Sequence, residues 1–352
     1  MGEKIVLVFA LPILLVFLFV LERILYGRLW KRGLESDVRF SPTIVRSGEG
    51  VEISEKCVNN SLLPLTSLSL EWNLERQFSP FTVDGKPFSS STLFSLPGRR
   101  MVEHRKEIGS LKRGIYTISG CRITTTDLFS LDEHSLTFSS NTSLHVLPQR
   151  REGFSSSYAY RGFLGTVEST RMSADDPFAI KAIRPYVTTD SMKTINWKAS
   201  AKTGKLKVNQ YDWTTEESVQ ILLDLSGGSE EERERLIEYV STFSSLLLSR
   251  GVNVSLRGNG RSAGNGKFIK VEKGSGRGHS LTLDLALSEI KISGSDGLPR
   301  PEIRDDRALP VLFSVSLGDM EREDFLLSSE GRIFLLKGKG GKDVFILEGD
   351  NE

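Results

Sequence analysis

The chain has 352 residues, with 46 Lys and Arg against 45 Asp and Glu for a formal net charge of +1. So even a balance supplies no long-range field for a nucleic-acid ligand, and 26% charged beside 38% hydrophobic residues describes a folded chain, not a disordered one. The length exceeds one ordinary hydrophobic core and fits two domains after an anchor.

Residues 5–21, IVLVFALPILLVFLFVL, are an unbroken apolar run. With Met1, Gly2, Ile24 and Leu25 they supply enough helix to cross a thin bilayer, and charged residues near the ends snorkel. Pro12 is tolerated where neighbouring groups re-satisfy the freed carbonyl. No small-residue cleavage site follows the run, so an uncleaved anchor is expected over a signal peptide; the rival is a buried core helix. Arg23, Arg28, Lys31 and Arg32 follow the run, against Lys4 and the amino terminus before it. The positive-inside rule then predicts a single-pass protein of the cell membrane with cytoplasmic soluble domains. Anchor and basic flank occupy 1–33.

Residues 34–150 read as an all-β, immunoglobulin-like sandwich: short β-prone runs such as VEISEKCV, TSLSLEWNL, MVEHRKEI and IYTISGCRI, broken by turn residues and by a Pro-punctuated loop at 79–97. Cys57 and Cys121 fall here. They leave open a disulfide or, more blandly, two reduced core thiols. The region 151–215 reads as a linker, polar over 150–179, followed by a dense Arg, Lys, Tyr and Trp block. The acids Glu168, Asp175 and Asp176 match no metal-loop template and are read as solvated.

Residues 216–352 read as an α/β domain. The run 218–225, SVQILLDL, is consistent with a buried parallel strand. Ser229 stands three residues before Glu232, a capping-box spacing, and Leu236, Ile237, Val240, Phe243, Leu246 and Leu247 repeat with helical period. A strand at 252–256 completes the unit of a doubly wound, Rossmann-like sheet. Two glycine-rich patches, 258–267 and 274–278, lack the Walker spacing and are read as mobile surface turns. A helix at 281–290 and strands at 309–317, 332–337 and 343–347 follow.

The block at the joint carries a family resemblance. Arg184-x-Tyr186, Asp190, Lys193, Ile195-x-Trp197, Ala199-Ser200-Ala201, Leu206 and Val208 resemble the family known as domain of unknown function 58. So do the lead-ins Lys112-Arg113-Gly114-x-Tyr116, Asp127-Leu128-Phe129 and Leu147-Pro148. The chain departs from the family pattern at Thr189, often Gly, at Ser130, usually Gly, and in showing one apolar span where two are common. The resemblance implies a von Willebrand factor A-like domain beginning at Asp224-x-Ser226. It also implies partnership with a MoxR-type AAA+ ATPase and association with transglutaminase-like membrane proteins.

Physically the block reads as a clasp: Arg184 offers a planar fork to Asp190, Tyr186 and Trp197 bury large apolar bodies, and Ser200 with its alanine neighbours allows close backbone approach. The alternative has Arg184, Lys193, Lys198, Lys202 and Lys205 projecting towards an acidic partner surface or membrane phosphates. An A-like metal site uses Asp-x-Ser-x-Ser, and Asp224 and Ser226 fill its first two places. Gly228 has no oxygen for the third, and Thr282 and Asp319 are candidate outer ligands. A degenerate site binding Mg²⁺ poorly if at all is expected, with Asp224, Asp319 and Lys198 as candidate partner contacts. His104, His134, His145 and His279 form no zinc spacing, and neither Cys has a nearby His. The leading expectation is therefore a non-catalytic, membrane-anchored interaction or assembly factor. A hydrolytic enzyme and an extracytoplasmic adhesion protein are the rivals.

Overall fold

The computed structural model describes the chain apart from residues 1, 77–81, 84–85, 110, 128, 174–179, 212–217, 293–307, 318–320, 322, 324, 327–330, 340–341 and 349–352. For residues 2–10, 82–83, 86–87, 166–173, 180–181, 210–211, 337–339 and 342–348 it describes backbone alone. Contacts divide the chain into two compact units, Met1–Gln149 and Arg150–Glu352.

The first unit opens with α1 (Gly2–Leu29), which contains the apolar run and Pro12. Among the described residues no helix is long and apolar enough to cross a membrane. Large apolar side chains between Leu11 and Leu25 are exposed along α1, whereas Tyr26 in its last turn and Trp30 just past its end are buried in the core of the first unit. Both rings stack on His134, and the guanidinium of Arg23 pairs with Asp132.

A two-sheet β-sandwich follows. β1 (Leu34–Ser41), β3 (Val51–Asn59) and β9 (Arg100–Ile108) form one antiparallel sheet. The other runs in the order β2 (Ile44–Arg46), β11 (Glu133–Leu147), β10 (Gly114–Thr126), β4 (Leu65–Asn73) and β8 (Ser89–Leu96), with the short β5 (Glu75–Arg76) beside β10. β6 (Thr82–Val83) and β7 (Lys86–Pro87) pair with each other. β8 corrects the expected loop at 79–97: its serine-rich sequence hides the strand, but Thr92 and Phe94 pair with Leu70 and Leu68 of β4.

Period-two alternation turns Val51, Ile53, Cys57 and also Glu55 of β3 inward. A buried carboxylate is expensive unless fully bonded. Glu55 accepts from Trp72 Nε1 and Thr92 Oγ1 at 2.7 Å each, from the facing sheet, and lies 3.2 Å from Lys106 Nζ on β9. Cys57 and Cys121 are free and buried, their sulfurs 3.3 and 3.4 Å from one Ser36 hydroxyl. Burial pushes the Cys57 thiol up to about 11 and raises that of Cys121. The thiolate is the reactive form, so neither cysteine of the native protein should react with an aromatic disulfide reagent at about pH 8, and both should react after unfolding in urea. Native-state reaction at either position would contradict this packing.

In the second unit, the segment expected to be a polar linker carries α2 (Tyr158–Ser173). Phe154, Tyr160, Phe163 and Leu164 are buried there, and Phe163 and Phe334 both pack on Phe243. This stretch is core, because its widely spaced aromatics meet one helical face once Phe154 leads in. Next come β12 (Ile180–Pro185), α3 (Trp197–Thr203) and β13 (Lys207–Tyr211), with β12 and β13 paired antiparallel.

The main sheet has the order β16 (Phe268–Gly274), β15 (Asn253–Ser262), β14 (Ser218–Leu223), β18 (Leu309–Ser314), β19 (Arg332–Lys339) and β20 (Lys342–Glu348). The four central strands are parallel, both edges are antiparallel, and β17 (Ile290–Lys291) pairs with β15. Val219, Ile221 and Leu223 face the cluster containing α2, α4 (Glu230–Ser249) and α5 (Gly276–Ser288), while Leu222, Leu312 and Ile333 form a cluster on the other face. The capping box of α4 forms, Ser229 N reaching Glu232 Oε2 at 2.8 Å. The first glycine-rich patch is not a surface turn throughout, since β15 runs through 258–262. A Cβ at Gly260 would meet Ile290 Cγ2 at 2.7 Å and Leu225 Cδ1 at 2.9 Å, so the missing side chain is what lets this strand pack. The second patch supplies the start of α5.

Candidate functional site

Asp224 follows directly on β14 and is 0% exposed. The strand's two parallel neighbours, β15 and β18, leave it on opposite sides, a switch point of the kind that opens crevices beyond the carboxyl ends of strands. Each neighbour sends a polar group to the carboxylate. Asn259 of β15 donates from Nδ2 to Oδ1 at 2.7 Å, and its own Oδ1 accepts the Leu225 amide at 2.8 Å. Ser314 of β18 places its hydroxyl 3.1 Å from Oδ2. Ser226 donates to Oδ1 twice, from its amide at 3.0 Å and its hydroxyl at 2.7 Å. The buried Arg233 closes the loop from below, Nε donating to Gly227 O at 3.1 Å.

Mg²⁺ needs oxygen donors in a near-octahedral set; here both Asp224 oxygens accept from N–H and O–H groups of the protein, and Gly228 offers no side-chain oxygen. Thr282, on α5, is exposed, whereas Asp224 is buried. The Thr282 hydroxyl bonds Gly278 O of its own helix at 3.2 Å. Asp319 lies outside the described residues. Burial also withdraws Asp224 from direct contact with a partner surface, correcting that expectation.

Gly228, the position lacking an oxygen, has φ +79°, and a Cβ there would meet Val315 Cγ1 at 2.6 Å. Left-handed backbone and a blocked Cβ together require glycine. Gly228→Ser, which restores Asp-x-Ser-x-Ser in composition, should cost about 1–3 kcal/mol in urea unfolding and give no Mg²⁺ uptake by calorimetry. A variant with unchanged stability and stoichiometric uptake would refute the steric account.

The second group of expected residues is brought together at β12–β13. Arg184 grips Asp190 with two bonds, Nη1 to Oδ2 at 2.7 Å and Nη2 to Oδ1 at 2.5 Å, and the Val187 amide donates to Oδ2 at 2.8 Å. Tyr186 N to Leu206 O, 3.0 Å, extends the ladder past the strands. Asn196, which the motif left unassigned, is the hinge of the clasp. It caps α3 through the Ala199 amide at 2.8 Å, reaches Asn209 Oδ1 at 2.6 Å, and donates its backbone N to Lys207 O at 2.8 Å. An Asn just before a short helical stretch is a signal that would have found it. Ser200, buried, donates to Asn196 O at 2.7 Å and accepts the Lys207 amide at 2.9 Å.

Trp197 corrects the expectation of a buried ring, being 66% exposed. In this seven-residue helix only Ser200 is buried, and the hydrogen bonds that draw Ser200 to β13 leave Trp197 outward. Tyr186 is half-buried, and Lys193, Lys198, Lys202, Lys205 and Leu206 are exposed.

The Arg184 guanidinium, then the Val187 amide, hold the Asp190 carboxyl below its usual range. A depressed folded-state value means that the pairing contributes stability in full above the unfolded value, about 3.9, and loses it as pH falls through the folded one. An NMR titration should therefore give Asp190 a midpoint below the ordinary value, and Arg184→Gln should raise it. A midpoint indifferent to the substitution would show that the fork does not persist in solution.

No family model matches the chain, and no curated protein matches it. Among solved structures, the CARDB domain of the PF1109 protein from Pyrococcus furiosus, in complex with di-metal ions, is 14% identical over 32% of this chain and 91% of its own, with a TM-score of 0.23. The C-terminal domain of wzt is 13% identical over 32% of this chain and 73% of its own, TM-score 0.24. PapD-like domain 7 of human CEP192 is 14% identical over 32% and 86%, TM-score 0.20. Likenesses this slight carry no functional argument.

Proposed function

We propose that the chain is a membrane-anchored interaction or assembly factor of the domain of unknown function 58 family, without catalysis of its own. On this reading its α/β unit is von Willebrand A-like, and it works with a MoxR-type AAA+ ATPase, with a transglutaminase-like membrane protein as a further associate. The observation that supports the reading is the state of the switch point: the Asp224 carboxylate is engaged in holding β14, β15, β18 and the loop after β14 together. Among the described residues no group of three or more His, Cys, Asp or Glu side chains converges to hold a metal. Asp224-x-Ser226 at the end of the first strand of a mostly parallel sheet supports the A-like reading. The exposed apolar side chains of α1, followed by exposed Arg28, Lys31 and Arg32, support a single-pass anchor with both units in the cytoplasm.

The docking surface falls on the loop after β14 and the N-terminus of α4, where Glu230 and Glu231 are exposed. Changing both to Lys should abolish capture of a co-expressed MoxR-type ATPase. The cost in stability should be only about 1 kcal/mol, from lost interaction with the helix dipole. Undiminished capture by the folded double variant would remove this face from the interface and the present reading with it.

A further inference from the structure

We propose that the clasp is a second membrane contact, a docking surface for an anionic bilayer that combines interfacial Trp197 with a ring of lysines. The inference starts from side chains that the fold turns outward without use. Ile183, Val187, Met192, Trp197 and Leu206 are all exposed, Met192 at 73%. Single exposed apolar residues need no explanation, but here five fall within one small module, and one of them is a tryptophan.

Their chain neighbours are cations. Met192 precedes Lys193, Trp197 precedes Lys198, and Leu206 follows Lys205, with all three lysines exposed. Lys202, also exposed, stands one helical turn beyond Lys198 on α3. Aromatic rings lodge at headgroup level in a bilayer, and lysine stems lie along apolar surface while their ammonium groups reach phosphate.

The charges are arranged for this ligand. Between residues 183 and 209 there are five lysines and one arginine against a single acid, in a chain whose overall charge is +1. The acid, Asp190, is neutralised by Arg184, so within residues 183–209 no bare carboxylate opposes an anionic surface. The same pairing commits the only arginine. What remains is lysine, a point charge on a flexible stem, suited to a diffuse layer of lipid phosphates more than to the two-pronged recognition that arginine gives to a carboxylate on a protein.

The proposal rests on the reading of α1 as an anchor, and the test separates the two. The full-length chain is reconstituted in vesicles of phosphatidylcholine containing phosphatidylglycerol, with brominated acyl chains, and in brominated phosphatidylcholine alone. The Trp197 signal is taken as the difference between wild type and Trp197→Phe. Quenching and a blue shift of Trp197 are expected in the anionic vesicles. Both should be lost in neutral vesicles, in high salt, and when Lys193, Lys198, Lys202 and Lys205 are replaced together by Glu or, as the milder variant, by Gln. An unquenched Trp197 in a chain that resists alkaline carbonate overturns the clasp proposal and leaves the anchor standing. Quenching that survives the lysine-to-glutamine variant also overturns it. Extraction by carbonate overturns the anchor reading alone, and Trp197 quenching by added anionic vesicles then decides the clasp. Binding of the clasp to an acidic protein, with Trp197 shielded in the absence of lipid, is the outcome that reassigns the surface.

Discussion

A single buried carboxylate sets the geometry of the strand ends in the second unit. Asp224 receives hydrogen bonds from three places in the sequence, Ser226, Asn259 and Ser314, and thereby ties β14 to both of its parallel neighbours. Burying such a group unpaired would cost several kcal/mol, so the donors are obligatory, and each fixes something else. Asn259 also takes the Leu225 amide, which starts the loop; Ser314 also lies within hydrogen-bond distance of Ser316 O, which starts the loop after β18. The tight packing of Gly228 on Val315 then follows from two loops held in place at their roots.

The first unit obeys the same rule with a different carboxylate. Glu55 sits at an inward position of β3 and is reached by donors from the facing sheet, Trp72 and Thr92, and by Lys106 of its own sheet. Leaving this buried carboxylate without its donors would cost at least about 1–3 kcal/mol, so the bonds from Trp72 and Thr92 hold the two sheets in register. The docking of Tyr26 and Trp30 on His134 extends the sandwich core to the end of α1. Whatever force acts on α1 is passed to a folded unit through packed rings and an ion pair, not through a loose tether.

Much of this was legible. The capping box at Ser229 and Glu232 was readable because its spacing is local, and the inward position of Glu55 follows from its parity with Val51, Ile53 and Cys57. The bidentate grip of Arg184 on Asp190 lay within six residues. What could not be read depended on partners far along the chain. Asn259 sits in a glycine-rich patch that looks like a turn, and its strand character comes from pairing with β14, β16 and β17. The aromatics of the segment after Arg150 look scattered until α2 turns Tyr160 and Phe163 onto Phe243, some eighty residues away. β8 is serine-rich, and its strand character comes from pairing with β4 and not from its own composition.

The clasp was misread in an instructive way. Its motif contains the bulky residues expected to form a core, yet Ile195 and Val208 are the buried apolar pair and Trp197 is outside. The module is held instead by a dense hydrogen-bond set in which Asn196 and Ser200 each have several partners. A module ordered by polar bonds inside has no need of its large apolar residues for folding. That leaves Trp197, Met192 and Leu206 on the surface, where their presence has to be explained by what they meet there.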